Sequence, residues 1–153
     1  MRNFKNPKRG MAITALAGPV SNLLAALAAA LIRNIILCTD CGVKAYIANE
    51  VTPLWGALVI LEYLVSVNVG LAIFNLIPVP PLDGFNVLRY FTSEKFDRWF
   101  YQHQREVSIG FFAFIIVLNQ IPSNLNPLIF LSTKISNLIW LAVEWIPKAR
   151  WGI

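Results

Sequence analysis

Asn75-Leu-Ile-Pro-Val-Pro-Pro-Leu-Asp-Gly84 is the stretch on which the reading of this chain turns. An apolar run of 24 residues, Leu54–Ile77, ends inside it. Pro78, Pro80 and Pro81 then remove three amide donors and push the residues before them to extended backbone. No regular helix continues through them. A single carboxylate, Asp83, follows beside Gly84, which permits tight backbone geometry. Irregular backbone at membrane depth is tolerated only where it is buried in protein or lines a cavity. A carboxylate there costs about 2.5–3.5 kcal/mol on the lenient insertion scale, so it needs a metal, a proton or a cation beside it. We read Asp83 as a metal ligand at the end of an extended strand lowered into a wet pocket. The alternative at the level of the residues is an interfacial turn with a solvated aspartate.

Composition places this stretch in lipid. Of 153 residues 57% are apolar and only 14% are charged, whereas a soluble domain carries about 25% charged residues. The net charge of +5 could signal nucleic acid, but the basic residues sit at the ends of apolar runs rather than on one polar face. The expected partner is therefore the lipid bilayer, with no nucleic acid. Two cysteines supply no disulfide framework. The chain reads as an all-α membrane protein, a single multi-pass domain over residues 1–153.

Outward from Asn75–Gly84 the apolar runs set the expected elements. About four transmembrane helices are predicted, over 11–37, 54–77, 107–121 and 128–146. The first run is longer than a signal-peptide core of about 7–15 residues and is interrupted by Pro19 and Asn22, so it spans. The third has only 15 residues, so it continues the helix before it or thins the bilayer. Ser93 is a candidate N-cap, and Phe96, Trp99, Phe100 and His103 follow at i, i+3, i+4, i+7 spacing. That pattern predicts an interfacial amphipathic helix over 93–106. Cys38–Pro53 reads as a polar connection and Pro122–Pro127 as a turn, while Lys134 and Glu144 are read as snorkelling to opposite interfaces.

Lys and Arg number four, one, four, none and two in the successive connections. Four spans of a cell-membrane protein with both termini cytoplasmic would show that alternation. It puts Asn75–Gly84 on the cytoplasmic side and Cys38-Thr-Asp-Cys41 outside, where the two cysteines read as a solvent-side disulfide or two idle thiols.

Polar positions within the spans narrow the candidate site. Thr14, Gly18, Ser21, Asn22, Ala25 and Ala29 share one helical face, on which Gly18 and Ser21 are candidates for close helix packing. Glu62, Ser66 and Gly70 share a face of the second span, and Asn68, Ala72 and Asn75 another. Polar side chains on a spanning helix normally look toward protein.

Asn75-x-x-Pro-x-x-x-x-Asp-Gly, preceded in an earlier span by Gly18-Pro-Val-Ser-Asn22, resembles the site-2 protease family of intramembrane zinc metalloproteases, in its compact prokaryotic type. Asn6-Pro-Lys-Arg-Gly-Met11 is similar to the segment before the first of these motifs. The resemblance covers roughly Asn6 to Asn86, and more loosely the two later spans. It implies Zn2+ as cofactor, Asp83 as its third protein ligand, and Asn22 and Asn75 lining or bracing the site. Pro78, Pro80 and Gly84 would border the groove that receives an unwound substrate helix. The implied reaction is hydrolysis of peptide bonds in membrane-spanning protein substrates.

The sequence departs from that pattern in one respect. The family's other two zinc ligands and its general base come from an H-E-x-x-H helix upstream of the Gly-x-x-x-Asn span. This sequence holds one histidine, His103, and no such motif. A catalytic zinc takes about three protein ligands plus water, so the chain is expected to be the C-terminal portion of such a protease, inactive alone, with the general base upstream of Met1. His103 is expected at headgroup level rather than on a metal. The alternative function is a non-catalytic membrane scaffold or regulator on the same fold that binds partner helices. A channel or carrier using Glu62, Asn68, Asn75 and Asp83 is disfavoured, because four short spans without repeated halves match no transporter plan.

Overall fold

The computed structural model describes residues 7–48, 50–123 and 125–144. Asn6 of the resemblance and residues 145–146 of the fourth expected span lie outside them. All regular structure among the described residues is helical: α1 (Pro7–Leu37), α2 (Asp40–Ala48), α3 (Pro53–Asn75), α4 (Asp83–Phe91), α5 (Glu94–Gln102), α6 (Gln104–Leu118) and α7 (Pro127–Val143). Two of these, α1 and α3, are long and apolar enough to cross a membrane. The apolar α6 and α7 are shorter, with 15 and 17 residues, near 22 and 26 Å of rise at about 1.5 Å per residue.

Local chemistry explains several helix starts. The Thr52 hydroxyl accepts from the Trp55 amide at 3.1 Å ahead of α3, with Pro53 in the first helical position, where its missing N–H is no loss. Asn126 does the same for α7: its side-chain oxygen accepts from Leu128 N at 3.0 Å and Ile129 N at 3.4 Å, with Pro127 following. Its amide nitrogen donates back to the Leu118 carbonyl at 3.0 Å, which ties the end of α6 to the start of α7. The expected polar connection 38–53 contains a helix, α2. Thr39 accepts from the Gly42 amide at 3.0 Å, Asp40 lies in the first turn, and Gly42 packs on the Ile36 carbonyl so closely that a side chain there would overlap it.

The chain divides into two compact units, Met1–Ser21 with Leu71–Phe130, and Asn22–Gly70 with Leu131–Ile153. In the first, Ala12, Ala15, Ala72, Ile73, Phe85, Phe100, Phe111 and Leu118 are buried. In the second, Ala26, Ala30, Leu58, Val65, Val69 and Val143 are almost fully buried. Small side chains on α1 permit close helix approach where no hydrophobic drive exists between apolar helices in lipid.

The expected interfacial helix is shorter than its pattern suggested. Ser93 caps α5, accepting from the Phe96 amide at 3.4 Å. The helix then ends at Gln102, because His103 leaves helical geometry (φ −112°, ψ 16°) and α6 starts afresh at Gln104. His103 stacks on Trp99 with ring centroids 4.7 Å apart, and its Nδ1–H donates to the Trp99 carbonyl at 2.9 Å.

Candidate functional site

The site lies in the first unit, where α3 gives way to α4. The last turn of α3 closes through Leu76 N donating to Ala72 O and Ile77 N to Phe74 O, at 3.2 and 3.1 Å. Pro78 has no amide with which to go on. Residues 76–82 then run irregularly, with a cis peptide between Pro80 and Pro81. Leu82, in extended backbone, stands before α4, and Asp83 is the first helical residue. A carboxylate in that position faces the positive end of the helix dipole and the unpaired amides of the first turn.

Two close approaches hold this corner. The Asp83 carboxylate rests against α1 at Gly18, where a Cβ would stand 2.8 Å from Oδ2. Gly84 is buried against the carbonyls of Leu76 and Ile77, which any side chain at that position would overlap. The Pro-rich segment is also tied from the other side: Ser108 of α6 donates its hydroxyl to the Pro80 carbonyl at 3.1 Å. Phe74 and Phe111 pack with centroids 6.0 Å apart beside it.

The remaining candidates fall as follows. Asn75 is the half-buried last residue of α3, Pro80 is buried and Pro78 exposed. Ser21 is exposed, with its hydroxyl donating to the Gly18 carbonyl of its own helix at 2.7 Å. Asn22 is half-buried and belongs to the second unit. His103 is exposed. Cys38 is half-buried, Cys41 is exposed, and both are free thiols.

A charged brace that the sequence reading did not single out supports the same corner. Asp97 of α5 is buried, 8% exposed. It accepts from Lys8 Nζ at 2.9 Å and from the Thr92 hydroxyl at 3.1 Å, and Arg89 Nε of α4 lies 3.6 Å away. Lys8 also donates to the Thr92 carbonyl at 3.3 Å. Hydrogen bonding to Lys8 holds the Asp97 carboxyl below the usual carboxylate range; Thr92 and the positive charges of Lys8 and Arg89 add to this, and burial opposes it. Arg89 is fixed by the rings of Tyr101 and Phe85, at 5.0 and 6.0 Å. Three elements, α1, α4 and α5, are thus joined through one carboxylate. A signal was available: at i, i+3 spacing Asp97 shares the inward face of Phe100, an odd place for a charge without a partner.

The sequence model of Peptidase family M50 matches residues 2–119. The chain belongs to peptidase family M50, the site-2 protease family. A protein of Bacillus subtilis (strain 168) named "Putative zinc metalloprotease YwhC" is 29% identical over 92 residues, 57% of this chain. The chain spans only 37% of that relative's length. No solved structure matches. The match to the M50 family includes every element that builds the corner: α1, the α3–α4 junction, α5 and α6.

The fit of this M50 chain to a zinc ion can be tested on its donors. Among the described residues no three of His, Cys, Asp and Glu stand together to hold a metal. Zinc in a catalytic site takes about three protein ligands. The donor set of the described residues therefore does not fit zinc by itself; Asp83 is one carboxylate set on glycine, not a cage.

Proposed function

We propose that this chain carries the aspartate-bearing part of an intramembrane zinc metalloprotease of the site-2 type, which hydrolyses peptide bonds in membrane-spanning proteins. The observation that carries the proposal is Asp83 itself. Within a chain matched to M50, the family's Asp-Gly signature begins a helix at the end of a proline-broken span, with its carboxylate seated on Gly18 of the other motif. Asp83 would supply one oxygen ligand; the described residues hold no other donors beside it. Residues 76–82 border the substrate groove, with Asn75 lining or bracing the site. The protein is a multi-pass component of the cell membrane with α1, α3, α6 and α7 crossing, α5 in the interface and both termini cytoplasmic, as the Lys and Arg alternation supports.

The second reading is a non-catalytic one on the same fold, a scaffold or regulator that binds partner helices.

Zinc analysis separates the two. The polypeptide encoded with any in-frame sequence before Met1 is purified from membranes, with Asp83 and as Asp83→Asn, and its zinc is measured by mass spectrometry. The protease reading expects about one zinc per chain and a loss of most of it in the variant. Undiminished zinc in Asp83→Asn overturns the ligand assignment. No bound zinc, with an upstream stop codon, selects the scaffold.

A further inference from the structure

The second unit holds a charged group that the M50 reading leaves unused. Glu62 lies nine residues into α3, about 14 Å of rise from its start. Its side chain is 56% exposed on a helix apolar enough to span a membrane. Ionisable groups in spanning helices face protein or a water-filled cavity and are paired. Glu62 is ion-paired to Arg33 but carries no hydrogen bond on its carboxylate. Arg33 Nη2 stands 3.6 Å from Oε2, beyond hydrogen-bond reach. The rings of Tyr46 and Trp140 flank the Arg33 guanidinium at 5.2 and 5.0 Å. The residue is 9% exposed, and its Nε has no hydrogen-bond partner. Ser66, one turn on, donates to the Glu62 backbone carbonyl at 3.4 Å and leaves the carboxylate alone. Among the described residues, no donor reaches the Glu62 carboxylate within hydrogen-bond distance.

A cavity of about 340 Å³ opens on this face, lined by Val59, Glu62, Tyr63 and Ser66. Val59, Tyr63, Ser66 and Gly70 follow at i, i+4, i+7, i+11 spacing, one stripe of the helix. A methyl group at Gly70 would meet nothing within 4 Å, so the stripe continues open beyond the cavity. At membrane depth a helix is the segment that satisfies its own backbone while filling such a stripe. The cation here is buried and the carboxylate exposed, so the face presented is acidic. A second copy in a two-fold arrangement would bring another Glu62 carboxylate to it, and no cation among the lining residues Val59, Glu62, Tyr63 and Ser66.

We propose that the Glu62 face of α3 docks a transmembrane helix of a partner protein that carries a lysine or arginine at the depth of Glu62. The cation hydrogen-bonds the exposed side of the Glu62 carboxylate that faces away from Arg33, and the flanking backbone packs along Ser66-x-x-x-Gly70, where small residues let helices approach closely. This site rests on the reading of α3 as membrane-spanning and not on the reading of Asp83.

The test uses the whole chain in phosphatidylcholine vesicles, donor-labelled at Cys41 with Cys38→Ser. The probe is an acceptor-labelled Leu/Ala helix of about 23 residues, with one Lys at the depth of Glu62; the control carries norleucine there. Energy transfer to the Lys helix is expected at peptide-to-lipid ratios at least tenfold below the control. Glu62→Gln, a near-isosteric change, is expected to abolish that preference at unchanged helix content by circular dichroism. Ser66→Leu, which fills the cavity, is expected to weaken both peptides. Equal transfer to both peptides in the wild type overturns the proposal, as does a Lys preference that survives Glu62→Gln or binding unaffected by Ser66→Leu. Transfer between donor- and acceptor-labelled chains without peptide, lost in Glu62→Gln, would assign the face to a second copy and equally overturn it.

Discussion

The Asp83 carboxylate sits on Gly18 with no room for a methyl group between them: a Cβ at Gly18 would lie 2.8 Å from Oδ2 and 3.8 Å from Cγ. Two motifs 65 positions apart in sequence meet at this contact. Gly18→Ala is expected to leave the fold intact, since a short side chain can turn aside, but to displace the carboxylate. The Asp83 13Cγ resonance should shift while helix content stays constant, and, on the proposed role of Asp83, zinc affinity should fall about ten- to a hundredfold, as loss of a group that positions a ligand does. Gly110→Ala, where nothing stands within 4 Å, is the control. An unmoved resonance in Gly18→Ala would remove Gly18 from the site.

Gly84 is a harsher case, because its neighbours are backbone. A side chain there would overlap the Leu76 and Ile77 carbonyls, which cannot rotate away. Gly84→Ala should therefore destabilise by about 1–3 kcal/mol or more, the cost of overpacking. A thermal melt in detergent equal to that of the wild type would contradict the geometry.

The Lys8–Asp97 brace makes a prediction in pH. Asp97 is held below its ordinary value of 3.8 in the folded protein, so its contribution is fully present above 3.8 and fades as pH falls through the lowered value. Melts taken at about pH 5 and about pH 3 should show a larger drop for the wild type than for Asp97→Asn. At neutral pH Asp97→Asn should cost about 1–3 kcal/mol, the penalty for stripping one partner from a charge-assisted hydrogen bond. Parallel pH dependence in the two proteins would show that another carboxylate controls acid unfolding.

Ser108 tests how the Pro-rich segment is held. Its hydroxyl satisfies the Pro80 carbonyl across 28 residues of chain. Ser108→Ala should cost about 0.5–1.5 kcal/mol, and it should speed exchange of the Leu82 amide, which bonds to the Val79 carbonyl within the same loop. Faster exchange throughout α6 instead would mean that the helix, not the loop, depends on the hydroxyl.

The sequence by itself determined the helical class and the family. Apolar runs of 27 and 24 residues, 11–37 and 54–77, are far longer than strands of about 3–10 residues, and Gly18-Pro-Val-Ser-Asn22 with Asn75–Gly84 carried the resemblance that the M50 match shows. It also marked Ser93 as a cap, because a hydroxyl ahead of a periodic stretch acts through residues only three apart. It did not reveal α2 or α4, whose polar composition hides a helix set by Thr39, Asp40 and Gly42 in one case and by Asp83 in the other. Nor did it reveal the break at His103, since the aromatic spacing runs unbroken from Phe96 through that residue while the chain turns on the Trp99 carbonyl. Only the tertiary structure decided that Asp83 rests on Gly18, that Ser108 holds Pro80, and that Lys8, Arg89 and Asp97 join three helices. Local spacing encodes which residues can share a face of one helix; which faces meet is settled by packing among residues tens of positions apart.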